Sequence, residues 1–249
     1  MHDVRYNAVH DEIVVPVPYS EAIITFAGDA DGQEAPIRVI QGPLTGSIGS
    51  RLDVDPIHDE IFTYTANTIK VYSREANGDS APIRVLEGPD TQLERVYGIA
   101  VDPVNDILVI GLNSDFGTTE PNPRPESLEK GAILVFNRTD SGNTRPRAVI
   151  RGPKSGIIRI NQMQTYPDRR LIVVAMPGIK ADMEPEGAFV GVWSYDDNGD
   201  VPPLWKIPIG DTTRLKKPFG VVLNPADQEV IVSDMRNQGV LVFSVPEIF

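Results

Sequence analysis

The chain has 249 residues, of which 41% are hydrophobic and 23% charged, the composition of an ordinary globular protein rather than a disordered one. Its formal net charge of −12 disfavours non-specific nucleic-acid binding, because the summed field repels phosphate. There is no cysteine, which excludes disulfides, thiolate zinc sites and cysteine nucleophiles, and no stretch approaches the roughly 20 apolar residues of a membrane span.

In chain order, the sequence shows five similar units. Each opens with two strands, here called a and b, joined by a polar turn: "NAVHDEIVV", "DPIHDEIFT", "DPVNDILVI", "YPDRRLIVV" and "NPADQEVIV". A third strand, c, is rich in β-branched residues, and an aromatic residue stands near its end. These aromatic residues are Phe26, Tyr72, Phe136, Trp193 and Phe243.

A turn and a fourth strand, d, follow strand c in the first four units. "ADGQEAPIRVIQGP" (residues 30–43) and "ANGDSAPIRVLEGP" (residues 76–89) are near-copies of this segment, identical at nine of fourteen positions. Glycine suits the tight turn, and proline suits the start of an edge strand, where no ladder donor is needed. The fifth unit ends before its strand d.

Four-stranded units of about 50 residues are typical of propeller blades. We therefore predict an all-β fold: a single β-propeller domain, residues 1–249, with blades at about 1–47, 48–95, 96–158, 159–217 and 218–249. The last blade lacks its fourth strand, and the open edge predicts self-association. The clean cut through this repeat favours a truncated or processed chain, in which Met1 begins inside a longer parent protein whose lost part closes a six-bladed ring.

Spacing places two insertions on one face. From the strand-c aromatic residue to the next a–b turn the distance stays between 29 and 31 residues, but from turn to aromatic residue it is 34 in unit three and 27 in unit four, against 17 to 19 elsewhere. The extra residues, 112–130 and 176–189, both join strands b and c. These connections lie on one face of a propeller, and loops of this length are commonly functional or disordered.

The segments "YGIAVDPVNDILVIG" and "FGVVLNPADQEVIVSD" resemble NHL-type propeller repeats. That family includes protein-binding and RNA-binding scaffolds, sensor domains and some enzymes, so the resemblance leaves the function open. Its gluconolactonase-like members bind a divalent cation through Glu, Asn and Asp at the channel mouth. Bacterial relatives are often exported, which favours a periplasmic or secreted location over the cytoplasm.

The leading hypothesis is a non-enzymatic scaffold that binds a protein or extended ligand on the insertion face. No phosphate-binding glycine loop, Gly-x-Ser-x-Gly or His-Glu-x-x-His motif is present, so no catalytic residue is assigned. Polar residues that open the insertions or follow strand b of unit five are the candidate ligand-binding set. They are Asn113, Asp115, Lys180, Asp234 and Arg236.

Two alternatives remain. One is a metal-dependent, lactonase-like hydrolase at the channel mouth, with a divalent cation such as calcium on Asn113 and Asp234; otherwise no cofactor is expected. The other is a structural subunit that assembles through the unclosed blade. Neither nucleic acid nor a membrane span is expected.

Four further polar residues are interpreted as structural. His10 and His58 occupy equivalent a–b turns, and Arg38 and Arg84 are expected to be solvated on outermost strands, where a charge discourages sheet pairing.

Overall fold

The structure, a computed structural model, describes residues 3–114, 131–178 and 187–249. Nineteen strands form five sheets in these ranges, and the helical residues belong to four short 3₁₀ turns. The first sheet has β1 (Arg5–Asn7), β2 (Glu12–Val17), β3 (Ala22–Ala27) and β4 (Arg38–Ile40). The second has β5 (Leu52–Asp55), β6 (Glu60–Thr65), β7 (Thr68–Ser73) and β8 (Arg84–Leu86).

The third sheet has β9 (Val96–Asp102), β10 (Ile107–Leu112), β11 (Ala132–Asn137) and β12 (Ala148–Ile150). The fourth has β13 (Gln162–Tyr166), β14 (Leu171–Pro177), β15 (Ala188–Ser194) and β16 (Trp205–Pro208). The fifth has β17 (Pro218–Asn224), β18 (Glu229–Asp234) and β19 (Gly239–Ser244). The 3₁₀ turns are Pro18–Ser20, Pro89–Thr91, Pro167–Arg169 and Pro246–Ile248.

Within each sheet the strands follow one another in chain order and run antiparallel, as in a propeller blade. The prediction of an all-β propeller with five blades, the last with three strands, is confirmed. The insertion in the fourth blade is shorter than the predicted residues 176–189, because Met176 and Phe189 pair with each other within β14 and β15.

The chain divides into two compact units, and each is described by itself. Unit 1 comprises residues 1–108 and 137–145, and unit 2 comprises residues 109–136 and 146–249. The prediction of a single domain stays a prediction.

Each unit has an apolar core between neighbouring blades. In unit 1, Val14 and Ile23 of the first blade pack with Ile61 and Tyr72 of the second. In unit 2 the corresponding layer includes Val190 of the fourth blade. These side chains are buried, and each contributes about 1.5–3 kcal/mol relative to exposure.

The repeated segment has a structural cause that the sequence alone does not reveal. In unit 1, the turn at Gly78 holds strand β4 of the preceding blade: its N–H donates to the carbonyl of Val39 (2.7 Å), and its carbonyl accepts the N–H of Gln41 (2.9 Å). Gly142 repeats this contact with β8 in unit 1, and Gly199 repeats it with β12 in unit 2.

Gly42, the second glycine of the repeated segment, leaves room for Asp79, which follows Gly78 in the turn of the next blade. Asp79 accepts the N–H of Leu44 (2.7 Å), and its side chain lies where a Cβ on Gly42 would stand. Gly42 also has φ +151°, which disfavours other residues. Each copy of the segment therefore forms the fourth strand of its own blade, and its turn holds the fourth strand of the preceding blade. This double role accounts for the repetition of the segment along the chain.

The fourth blade accommodates the largest buried side chain. Trp193 is fully buried, and its ring lies so close to Gly191 that a Cβ there would stand 2.6 Å from it. The equivalent positions in the other four blades carry larger residues: Ile24, Lys70, Leu134 and Leu241. A glycine two residues before the aromatic residue thus accompanies the only tryptophan of the series.

Replacing Gly191 with alanine is expected to lower the free energy of unfolding by about 1–3 kcal/mol, because the added methyl group must displace the Trp193 ring in a packed core. Urea unfolding followed by tryptophan fluorescence measures this loss. The control is Gly239→Ala in β19, where an added Cβ meets nothing closer than 3.7 Å. Equal losses in the two variants would contradict the packing argument.

Candidate ligand-binding edge

Both insertions leave unit 2 beside one connecting segment. The first starts after β10, where the Ser114 N–H donates to the carbonyl of Ile158 (2.9 Å) and the Asn113 side-chain oxygen accepts the N–H of Ile160 (2.8 Å). The second ends at β15, where the Phe189 ring lies about 3.5 Å from a Cβ built on Gly156. Segment 151–161, which joins β12 to β13, therefore contacts the start of the first insertion and β15, the strand that follows the second.

We call this surface the insertion edge: residues 113–114, 131, 178, 187 and 151–161. Its backbone is held closely, since a Cβ on Gly131 would lie 2.3 Å from the carbonyl oxygen of Ile157. Behind it, the Lys206 ammonium lies 4.1 Å from the centre of the Phe189 ring, a cation–π distance. Segment 151–161 thus packs against both sides of the first insertion and against the strand that follows the second.

The structure describes three of the five predicted ligand-binding residues. Asn113 lies on the insertion edge, where its side-chain oxygen is engaged by Ile160. Asp115 and Lys180 lie outside the described residues. Arg236 is exposed in the turn between β18 and β19, and Asp234 is buried at the end of β18. The assignment of these five residues to ligand binding stays a prediction.

Asp234 has an evident structural task. One of its oxygens accepts the N–H groups of Lys216 (2.6 Å) and Lys217 (3.0 Å). The other accepts those of Arg236 and Asn237, both at 2.9 Å. Four backbone donors on one carboxylate fix the connection before β17 against the turn after β18.

The predicted cation site on Asn113 and Asp234 also stays a prediction. In the described ranges, no group of three or more His, Asp or Glu side chains is arranged to hold a metal ion. The described residues likewise include no helix with the length and apolar character of a membrane span.

In unit 1, a polar depression lies at the end of the blades where strands b and c are joined. It has a volume of about 610 Å³ and lies beside the β6–β7 turn and the connection after β8. The residues that line it are Asn67, Thr68, Glu87, Gly88, Pro89 and Leu93.

The opposite end of the blades in unit 1 carries a charge network that the sequence analysis missed. The Glu60 carboxylate accepts hydrogen bonds from both terminal nitrogens of Arg84 (2.5 and 2.6 Å) and from one terminal nitrogen of Arg138 (2.7 Å). Arg138 also pairs with Asp106 (2.9 Å) and approaches Asp55 (3.4 Å). Its side chain is 8% exposed and that of Glu60 is 9% exposed, so the centre of the network is buried, whereas Asp106 is 64% exposed.

The same arrangement occurs one blade earlier, where Glu12 is bound by Arg38 and Arg74. The interpretation of Arg38 and Arg84 as solvated is therefore wrong: their side chains are 15% and 21% exposed and are drawn onto buried glutamates. In the sequence, the signal for this network is a glutamate at the first residue of strand b together with an arginine just after strand c of the next repeat.

Electrostatics keep Glu60 ionised. Burial raises the pKa of Glu60, but the hydrogen bonds and charges of Arg84 and Arg138 outweigh it and hold that pKa below its ordinary value. A glutamate with a depressed pKa stabilises the folded chain above its unfolded pKa, and this contribution is lost as pH falls through the folded pKa.

The two histidines belong to the same end. His10 pairs with Asp59 and His58 with Asp55, each at 2.8 Å. They link turn residues, in agreement with the structural interpretation.

The first strands of the blades hold one another through side chains. In unit 1, Asp53 accepts the N–H of Val101 (2.8 Å) and the guanidinium of Arg5 (2.9 Å). In unit 2, Gln162 accepts the N–H of Val221 (2.8 Å). Near Arg5, burial raises the pKa of Asp3 despite the neighbouring cations. These polar side chains tie adjacent blades together.

Comparison with known proteins identifies the fold and not a family. No protein-family profile matches the chain, and no curated protein does. A chain of the structure titled "Crystal Structure of Mitotic Checkpoint Complex" is similar, with a TM-score of 0.63 and 13% sequence identity. The match covers 98% of the present chain and 63% of that chain. The likeness supports a β-propeller fold.

Proposed function

We propose that this chain is a non-enzymatic scaffold that binds a protein or an extended ligand at the insertion edge. One observation carries the proposal: segment 151–161 contacts the start of the first insertion and β15, the strand that follows the second, so both insertions adjoin one connecting segment. Long connections on a rigid scaffold are where binding residues concentrate.

The fold agrees with such a role, since propellers present loops on a stable frame. The matched structure is titled as that of a mitotic checkpoint complex, which is compatible with a protein partner. The NHL-type identity is part of this proposal and rests on the quoted turn and strand segments.

Replacing residues 115–128 with a short Gly-Ser linker is expected to reduce capture of the partner at least tenfold while the fold remains. The reason is that the replacement removes the insertion and three acidic residues but leaves β10 and β11 intact. Affinity capture with quantitative mass spectrometry, followed by calorimetry on the purified partner, measures the effect.

The control replaces Asp29, Asp31 and Glu34 with serine, which also removes three acids but in the exposed turn before β4. Circular dichroism and melting confirm that both variants fold. A partner that binds the insertion variant with unchanged Kd would refute the proposal.

A structural subunit assembling through the last blade is a second candidate function. The observation that favours it is the open third strand of the fifth sheet, where Val240 and Val242 are 64% and 55% exposed. Light scattering of the purified chain across a range of concentrations tests it.

A further inference from the structure

Strand β19 is the outer strand of the last sheet, and its free edge is open along the described chain. Its counterparts β3, β7, β11 and β15 each pair with a fourth strand. In the second blade the register is Ile69 with Leu86, Lys70 with Val85 and Val71 with Arg84. The equivalent positions of β19 are Val240, Leu241 and Val242.

One face of this last sheet is apolar and uncovered. Val222, Ile231 and Val242 are aligned across the three strands, and Val240 lies on the same face. Val222 is 51% exposed, and the two valines of β19 are more exposed still. In the first blade the counterpart of this face is buried: Val14 is 1% exposed.

The same face carries an acidic side chain without its basic partners. Glu229 is the first residue of β18, as Glu12 and Glu60 are the first residues of β2 and β6. Both counterparts bind an arginine from the fourth strand of their own sheet. Within the described ranges, by contrast, Glu229 forms no ion pair and accepts one hydrogen bond, from Asn224 (3.2 Å).

We propose that the edge of β19 binds an extended, arginine-bearing β-strand of a partner polypeptide. The strand runs antiparallel to β19 and places its arginine opposite Val242, from where the guanidinium reaches Glu229. This docking edge is separate from the insertion edge and does not depend on the function proposed there. It is the alternative to self-assembly through the same strand.

The chain itself indicates what sequence fits. Its own fourth strands in the first two blades read Pro-Ile-Arg-Val followed by isoleucine or leucine. Main-chain hydrogen bonds would supply affinity, the aliphatic residues would cover the exposed valines, and the arginine would supply selection and register. An arginine–carboxylate pair shielded by such a strand is stronger than one in water.

A labelled peptide with the sequence of residues 79–88, DSAPIRVLEG, is the probe. Fluorescence anisotropy measures its binding to the full 249-residue chain, alone and with Glu229→Arg, and a second peptide carries glutamate in place of the arginine. We expect the original pair to bind, each single charge reversal to weaken binding at least tenfold, and the double reversal to restore it.

The control is Glu247→Arg, which makes the same charge change in an exposed turn and should leave binding unaltered. Melting curves verify that both protein variants fold. The proposal is overturned if the peptide fails to bind at about 1 mM, or if all four charge combinations bind equally. It is also overturned if the chain alone dimerises through β19 and excludes the peptide, since the occupant is then a second copy.

Discussion

Replacing Arg138 with methionine is expected to lower the free energy of unfolding by about 3 kcal/mol. Methionine keeps much of the volume but removes the charge that Glu60, Asp55 and Asp106 share. A carboxylate left buried without its partner typically costs about 3–5 kcal/mol, and Arg84 still compensates Glu60 in part. Urea unfolding at neutral pH measures the loss.

The matched control is Arg145→Met. That side chain is 78% exposed and pairs with Asp90 at 3.5 Å, so its loss should stay below about 0.5 kcal/mol. A loss at Arg138 no larger than at Arg145 would show that the buried network contributes nothing.

The repeat itself provides a rescue experiment. At the positions equivalent to Glu60, Arg84 and Arg138 one blade later, the sequence has Ile107, Ala148 and Tyr195. Buried ion networks can often be exchanged for well-packed apolar residues without loss. The triple variant Glu60→Ile, Arg84→Ala and Arg138→Tyr should therefore recover most of the stability that Arg138→Met loses.

The sequence predicted the blades because their signals are local. Strand alternation, the turn glycines and the strand-c aromatic residues each depend on a few neighbouring residues, and repetition multiplied that evidence. The three strands of the last blade were predicted because the fifth repeat shows segments for strands a, b and c only. The role of Gly78 in holding β4 was not predicted, because a turn residue's partner in another blade leaves no local mark.

The site was harder to predict for a related reason. Arg38 and Arg84 have the spacing of solvated edge residues, and only the buried positions of Glu12 and Glu60 show otherwise. Asp234 was chosen as a potential cation ligand because it ends strand b. In the structure, four backbone donors occupy its oxygens, including two that come from the segment before β17.

Replacing Asp234 with alanine is expected to lower the free energy of unfolding by about 3 kcal/mol. Each hydrogen bond to a charged acceptor contributes about 1.5–3 kcal/mol, and water can replace the exposed ones. The N–H of Lys217 lies in a buried residue, so it would lose its carboxylate acceptor without ready access to water. Thermal and urea unfolding, each with EDTA or with added calcium, measure the loss.

The control is Asp227→Ala, which removes an exposed carboxylate that accepts the side-chain amide of Asn224 (2.9 Å), and it should cost far less. If the carboxylate acts through backbone hydrogen bonds, the loss at Asp234 is the same in EDTA and in calcium, and Asp234→Asn shows an intermediate loss because one oxygen remains. If the wild-type chain instead melts higher in calcium and Asp234→Ala abolishes that shift, the carboxylate holds a cation, which supports the lactonase-like alternative.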